Sequence, residues 1–199
     1  VIVTAHHSMP SELPPAYAII NPHRADSAYP FPDICGSTIA YKLIMALAKD
    51  LLKDAERKEY LMKQLSIVVL GVIGDCMPLK DENRVLVKYG LKSLRDGHNP
   101  GLAKLLESVE LDLKKVTSFT IGFQIGPRLN AAGRLDKPDH ALELILGNLE
   151  KADVLNHLNE LRKEMVKDCI AEATEKLQEL PELPQVLVLW SSGWKAGVL

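Results

Sequence analysis

The chain has 199 residues, 47% of them hydrophobic, enough for a sizeable core in one domain of ordinary size or in a domain with pieces of another. A formal net charge of −2 excludes nucleic-acid binding by the overall field, so any such binding rests on a local patch. Three cysteines (Cys35, Cys76, Cys169) without a CxxC spacing argue against a disulfide framework or structural zinc and fit a reducing cytoplasm; no signal peptide is visible, and no apolar run reaches the ~18 residues of a membrane span.

Val1–Thr4 reads as a short buried strand, and Ala18–Ile20 as a second one, ended by Asn21-Pro22. Proline-containing loops at 8–16 and around Pro30 and Pro32 flank the second strand. A helix is expected over 37–53, with Ile39, Leu43, Leu47 and Leu51 at helical period and Ser37 or Thr38 as its cap. Its start, Gly36-Ser37-Thr38, offers ordinary capping or an anion site. Residues 58–76 suit strand or helix, and their length favours helix. Residues 82–95 form a helix whose Arg84, Lys88, Lys92 and Arg95 share one face, either a solvated surface or a track for phosphates. Pro100–Ser108 makes a short helix. Residues 116–134 hold Gly122, Gly126 and Gly133 with Arg128, Asn130 and Arg134, either a structural turn or a phosphate-contacting segment. Residues 150–180 read as one helix of roughly 45 Å, long enough to join two domains. Pro181 and Pro184 end it, and Val186–Trp190 begins a new strand. Both ends of the chain read as cut, as in a fragment of a longer protein.

The chemistry centres on Gly71-Val-Ile-Gly-Asp-Cys-Met-Pro-Leu79, where an apolar run, Leu65 to Ile73, delivers one carboxylate, Asp75, before Pro78. A carboxylate at the end of a buried element is either a cap or a ligand, because ionisation there needs a cation or hydrogen bonds. His6-His7, at the end of the first strand, supplies a possible partner, so His6, His7 and Asp75 suggest half of a metal site. Carboxylates suit Mg2+ or Mn2+, and one imidazole biases the choice toward Mn2+. A two-metal site would need further carboxylates, and the sequence holds no Asp-x-Asp; the nearest approach is Glu110-Leu-Asp112. His23, His98, His140 and His157 fall in loops or on helix faces and are not expected as ligands. There is no GxSxG, P-loop or Cys/His nucleophile pair.

Four segments carry a resemblance: Val1-Ile-Val-Thr-Ala-His-His7, Gly71 to Leu79, Glu82-Asn-Arg-Val-Leu-Val-Lys-Tyr-Gly-Leu91, and Pro127-Arg-Leu-Asn-Ala-Ala-Gly-Arg-Leu135. In this order they resemble the RecJ-type single-stranded-DNA exonucleases of the DHH phosphoesterase superfamily. Gly193-Trp194 and Gly197-Val198 are similar to the opening of that family's DHHA1-type domain. The resemblance implies an α/β fold: the C-terminal part of a DHH-type domain with parallel strands (1–149), a connector helix (150–180) and the first strand of a DHHA1-type domain (185–199). It implies a cytoplasmic 5′–3′ exonuclease on single-stranded DNA in recombination and repair, using Mn2+ or Mg2+. Single-strand-binding protein or a helicase would be further partners, with no role for a membrane. His6 and Asp75 would ligate metal, His7 would contact the scissile phosphate, and Arg128, Asn130 and Arg134 would shape the nucleic-acid path.

Three departures qualify it. Ala5 stands where the family motif has the Asp that orients the ligand His, a group whose loss typically costs about 10–100-fold. The family's Asp-x-Asp would precede Val1, and Lys195 stands where the family has His. These 199 residues alone are therefore expected to show little or no nuclease activity. Two other readings stay open: a phosphodiesterase of the superfamily acting on short oligonucleotides or cyclic dinucleotides, and a catalytically dead DNA-binding or scaffolding homologue.

Overall fold

The computed structural model describes residues 1–180 and 182–198. The chain divides into two units, Val1–Gly126 and Pro127–Leu199, each treated by itself below. The fold is rich in helix, with one small parallel sheet.

In the first unit, β1 (Ile2–Thr4) pairs in parallel with β2 (Ala18–Ile20), in the register Ile2↔Ala18, Val3↔Ile19, Thr4↔Ile20. Parallel pairing matches the expected class, but β1 is not a buried strand: Ile2 is 58% exposed. With β2 as its one partner among the described residues, the ribbon lacks a second layer over both faces.

Helix α1 spans Gly36–Leu51, close to expectation, but neither hydroxyl caps it. Cys35 is the N-cap residue and makes no side-chain cap bond. Ser37 Oγ instead donates to the Val68 carbonyl at 3.1 Å, and the fully buried Thr38 places Oγ1 3.3 Å from Cys35 Sγ. The Ser37 hydroxyl serves the contact with the next helix, and that of Thr38 meets the sulfur of the N-cap residue.

Helix α2 (Asp54–Gly74) settles the strand-or-helix alternative and starts four residues earlier than expected. The Glu56 side chain accepts from the Lys53 amide at 3.4 Å, which fixes that start. Leu65, Val68, Val69 and Val72 form the buried stripe. The helix ends before Pro78: Met77 N–H reaches the Val72 carbonyl at 3.0 Å and Cys76 N–H the Ile73 carbonyl at 3.1 Å, with Cys76 at φ 52°. This is a Schellman closure with a cysteine in the position glycine usually fills.

Helix α3 (Asp81–Arg95) packs along α2. Its basic face is partly committed locally: Arg95 Nε and Nη2 donate to the Val116 carbonyl at 2.9 and 2.6 Å, and Lys92 pairs with Asp96 at 2.5 Å. Helix α4 (Pro100–Glu107) has Asn99 as its cap, accepting from Leu102 N–H at 2.9 Å, with proline in the first turn.

The segment read as either turn or contact motif is helical. A 3-10 turn, Leu113–Lys115, leads to α5 (Ser118–Thr120), a π-helical stretch Ile121–Ile125, and α6 (Gly126–Leu135). Gly126 N–H closes the wide turn on the Ile121 carbonyl, and a Cβ at Gly126 would lie 3.1 Å from that oxygen. Glycine thus permits the π turn, which propensity alone does not reveal.

The second unit holds most of α6, a short helix α7 (Asp139–Ile145) that the sequence reading did not anticipate, and α8 (Lys151–Gln178). Leu155 and Leu158 bury the N-terminal half of the α8 stripe, whereas Ile170 is 61% exposed. The helix stops at Gln178, and of the two prolines expected to end it Pro181 lies outside the described residues. Residues 186–190, expected as a strand, form none among the described residues. They run irregularly beside α8, with Lys176 Nζ donating to the Trp190 carbonyl at 2.6 Å and Trp194 Nε1 to Glu172 at 2.7 Å. A strand needs a neighbour for its backbone groups, and none is beside this segment there.

The crossing of α1 and α2 depends on Gly71. A Cβ there would fall 2.2 Å from Ser37 Oγ and 2.9 Å from Ser37 Cβ. Gly71→Ala is expected to destabilise the first unit by about 1–3 kcal/mol through overpacking, read as a lower midpoint in urea unfolding.

Candidate metal centre

The site lies where β1 and α2 both end. β1 is held in place by its pairing and by Ala5 N–H on the Ile20 carbonyl at 3.0 Å, so the chain leaves the sheet with His6 turned toward α1 and α2. A Cβ added at Gly36 would lie 3.4 Å from His6 Nδ1, so α1 begins directly against the imidazole. On the other side, His6 Nε2 stands 3.5 Å from Asp75 Oδ2. Asp75 is the C-cap of α2, its N–H bonded to the Gly71 carbonyl at 2.9 Å. The strand-end His6 and the helix-end Asp75 thus lie side by side.

The two groups are too far apart for a short hydrogen bond. Their separation is close to the roughly 3 Å expected between adjacent ligands of an octahedral cation with bonds of about 2.1 Å. One imidazole and one carboxylate fit a divalent cation of the Mn2+ or Mg2+ kind as part of its ligand set. Among the described residues no cluster of three or more His, Cys, Asp or Glu is present, so the pair is an incomplete set.

His7 follows with its ring centroid 4.2 Å from that of His6, tilted by 36°, and is exposed. Its main chain is fixed by a residue that the sequence reading took only as a strand terminator. Asn21, 6% exposed, donates from Nδ2 to the His7 carbonyl at 2.9 Å and accepts from His23 N–H at 2.8 Å. The signal for it was available: an Asn before Pro, straight after a strand, is suited to such a side-chain-to-backbone turn.

Beside β2, a pocket of about 500 Å3 is lined by Ile20, Asn21, Tyr29, Ile39 and Lys42, among others. Lys42 pairs with Glu82 at 2.5 Å, and Tyr29 donates to the same carboxylate. Burial opposes the charge on Lys42, but the bonds to Glu82 and Tyr29 outweigh it and hold its pKa above the ordinary lysine value. This trio ties the 21–34 loop to α1 and α3.

The three polar residues of α6 do not act as one cluster. Arg128 is buried and donates from Nε to Asn156 Oδ1 at 2.9 Å, and burial lowers its pKa against the opposing pull of Glu160. Asn130 and Arg134 are exposed and lie on one face, with Arg134 Nη1 donating to the Gly197 carbonyl at 2.6 Å. All three belong to the second unit, whereas His6, His7 and Asp75 belong to the first. Of the other histidines, His98 meets Ser93 Oγ at 3.0 Å and His140 meets Asp136 at 3.0 Å, while His23 is exposed.

The fold that carries the His6–Asp75 pair is similar to those of metal-bound nucleases. A crystal structure described as exonuclease RecJ bound to manganese superposes with a TM-score of 0.78 at 28% identity, covering 99% of this chain and 49% of that one. RecJ of Thermus thermophilus in complex with Mn2+ superposes with a TM-score of 0.72 at 28% identity, covering 86% and 26%.

The curated relatives make the likeness particular. Single-stranded-DNA-specific exonuclease RecJ of Haemophilus influenzae is 37% identical over 213 residues, that of Escherichia coli 38% over 216, and that of Bacillus subtilis 33% over 204. Each match takes in 100% of this chain. No family model matches the chain. The likeness to RecJ runs along the whole of this chain in sequence, and the fold is similar to that of RecJ. It spans 37%, 37% and 25% of those three relatives.

Asn21→Ala removes the bond that holds the His7 carbonyl and the one that closes the turn at His23, and leaves both partly buried backbone groups without their partner. It is expected to cost about 1–3 kcal/mol in denaturant unfolding.

Proposed function

We propose that the protein containing this chain is a metal-dependent exonuclease that degrades single-stranded DNA in the 5′–3′ direction during recombination and repair. The observation that carries this reading is the convergence of His6 and Asp75 at the ends of β1 and α2, in a chain similar to RecJ. Its structural relatives bind Mn2+ or Mg2+.

In this reading His6 Nε2 and Asp75 Oδ2 hold the cation, which when bound supplies Lewis-acid activation of the phosphodiester. His7, exposed beside His6, donates a hydrogen bond to the scissile phosphate and offsets developing charge. Asn21 positions it through its carbonyl. Asn130 and Arg134 contact the nucleic-acid backbone from their shared face, and Arg128 fixes α6 to α8 through Asn156. The domain reading is a DHH-type domain over 1–149, a connector over 150–180 and the start of a DHHA1-type domain over 185–199. Cytoplasmic location, and single-strand-binding protein or a helicase as partners, complete it; no helix among the described residues is long and apolar enough to cross a membrane.

The product of the complete reading frame is expected to digest 5′-phosphorylated single-stranded DNA with Mn2+ and to leave duplex DNA intact. His6→Ala and Asp75→Ala are each expected to abolish digestion and to weaken Mn2+ binding measured by electron paramagnetic resonance. Full activity in either variant would sink the assignment, and cleavage of dinucleotides in preference to long DNA would move it to the short-oligonucleotide phosphodiesterases.

One observation favours a second reading. Ala5 supplies no carboxylate beside His6, as a binding or scaffolding homologue without turnover would allow. Restoring it by Ala5→Asp is expected to raise Mn2+ affinity or activity by about 10–100-fold. A variant that binds single-stranded DNA yet still shows no turnover would instead support the scaffold.

A further inference from the structure

Phe119 and Phe123 stand one helical turn apart, across the junction of α5 and the π-helical stretch, and they face water. Their exposures are 63% and 66%, yet the rings stack on each other, with centroids 4.6 Å apart and planes 27° from parallel. A pair stacked in this way is held in one orientation and leaves its outer ring faces open. A single exposed phenylalanine is ordinary, but two large rings aligned in solvent form a patch that invites a flat ligand.

Their surroundings say which kind. Gly122, between them, lies against the last turns of α2: a Cβ there would meet Ile73 Cγ2 at 3.8 Å, and Ile73 is two residues before Asp75. The element that carries the rings therefore packs on the helix end that delivers the carboxylate of the candidate metal centre. On the N-terminal side, cations gather just before Phe119. Arg95 bonds the Val116 carbonyl through two nitrogens, Lys114 Nζ donates to the Arg95 carbonyl at 2.9 Å, and Lys115 is 85% exposed, 3.9 Å from Asp112. Open ring faces complement a strand whose bases are unpaired, and Lys114 and Lys115, on the segment leading into α5, carry charge of the sign its backbone attracts.

We propose that Phe119 and Phe123 form a stacking platform for a nucleobase of single-stranded DNA, placed a few nucleotides from the His6–Asp75 centre. The inference rests on the nuclease reading above. Stacking needs no particular base, so the platform would grip the strand without reading its sequence, and a duplex, whose bases are already stacked, would gain nothing from it.

The test uses the product of the complete reading frame in EDTA, where turnover stops. Fluorescence anisotropy compares a labelled oligothymidylate with an abasic strand of the same length. Phe119→Ala/Phe123→Ala is expected to weaken oligothymidylate binding by about 5- to 100-fold and to leave abasic binding unchanged. Phe119→Leu/Phe123→Leu keeps apolar volume and is expected to lose as much. Phe119→Trp/Phe123→Trp keeps the ring faces and is expected to bind at least as tightly as the parent, while unchanged abasic binding by the Ala and Leu variants shows that their loss is not misfolding. Equal binding of both strands by the Ala variant and the parent would overturn the platform and leave the patch to a protein partner. So would full oligothymidylate affinity in the Leu variant. A parent that binds no single-stranded DNA at all would remove the nuclease reading, and the platform with it.

Discussion

The close approach of α1 to α2 at Gly71 is the contact on which the first unit's site depends. Because there is no side chain at 71, Ser37 can reach the Val68 carbonyl, and the start of α1 is drawn against the last turns of α2. That docking puts Gly36 beside His6 and leaves the imidazole between the two helices, facing Asp75. A second close approach, at Gly90, where a Cβ would lie 2.5 Å from Val69 Cβ, seats α3 on the other side of α2. α2 is thereby packed on two faces, and Asp75 caps its C-terminal end. Functional side chains set on packed elements hold their positions better than those on free loops.

The nucleic-acid side of the reading has a different physical character. Arg128 is buried and bonded to Asn156, so its guanidinium holds α6 to α8. Asn130 and Arg134, exposed four residues apart, are the members of that segment turned toward solvent, where a backbone could meet them. Burial thus separates three residues that look equivalent in the sequence, because only one of them falls on the apolar side of α6.

Much of this was legible in the sequence for identifiable reasons. The 3.6 period marked α1, α3 and α8; two short segments rich in β-branched residues marked the ribbon; and an apolar run ending in Asp75 marked the helix end that meets His6. The parts that were not legible depend on partners distant in the chain. Ser37 looks like a cap, but the Val68 carbonyl, on the next helix, takes its hydroxyl. Asn21 looks like a strand terminator, and only the fold brings the His7 carbonyl to it. Val186–Trp190 has strand composition, but strand formation requires a neighbouring ladder, and among the described residues none adjoins it. The π turn at 121–125 rests on one glycine whose role shows only in three dimensions.

His6 also sits between helix ends of opposite polarity. α1 begins at Gly36, against Nδ1, at the electropositive end of its peptide dipole, and α2 ends at Gly74 and Asp75, facing Nε2, at the electronegative end of its own. Peptide groups do not titrate. This share of the local field therefore persists under acid conditions that discharge carboxylates, and it is set by where two helices start and stop rather than by any ionisable side chain.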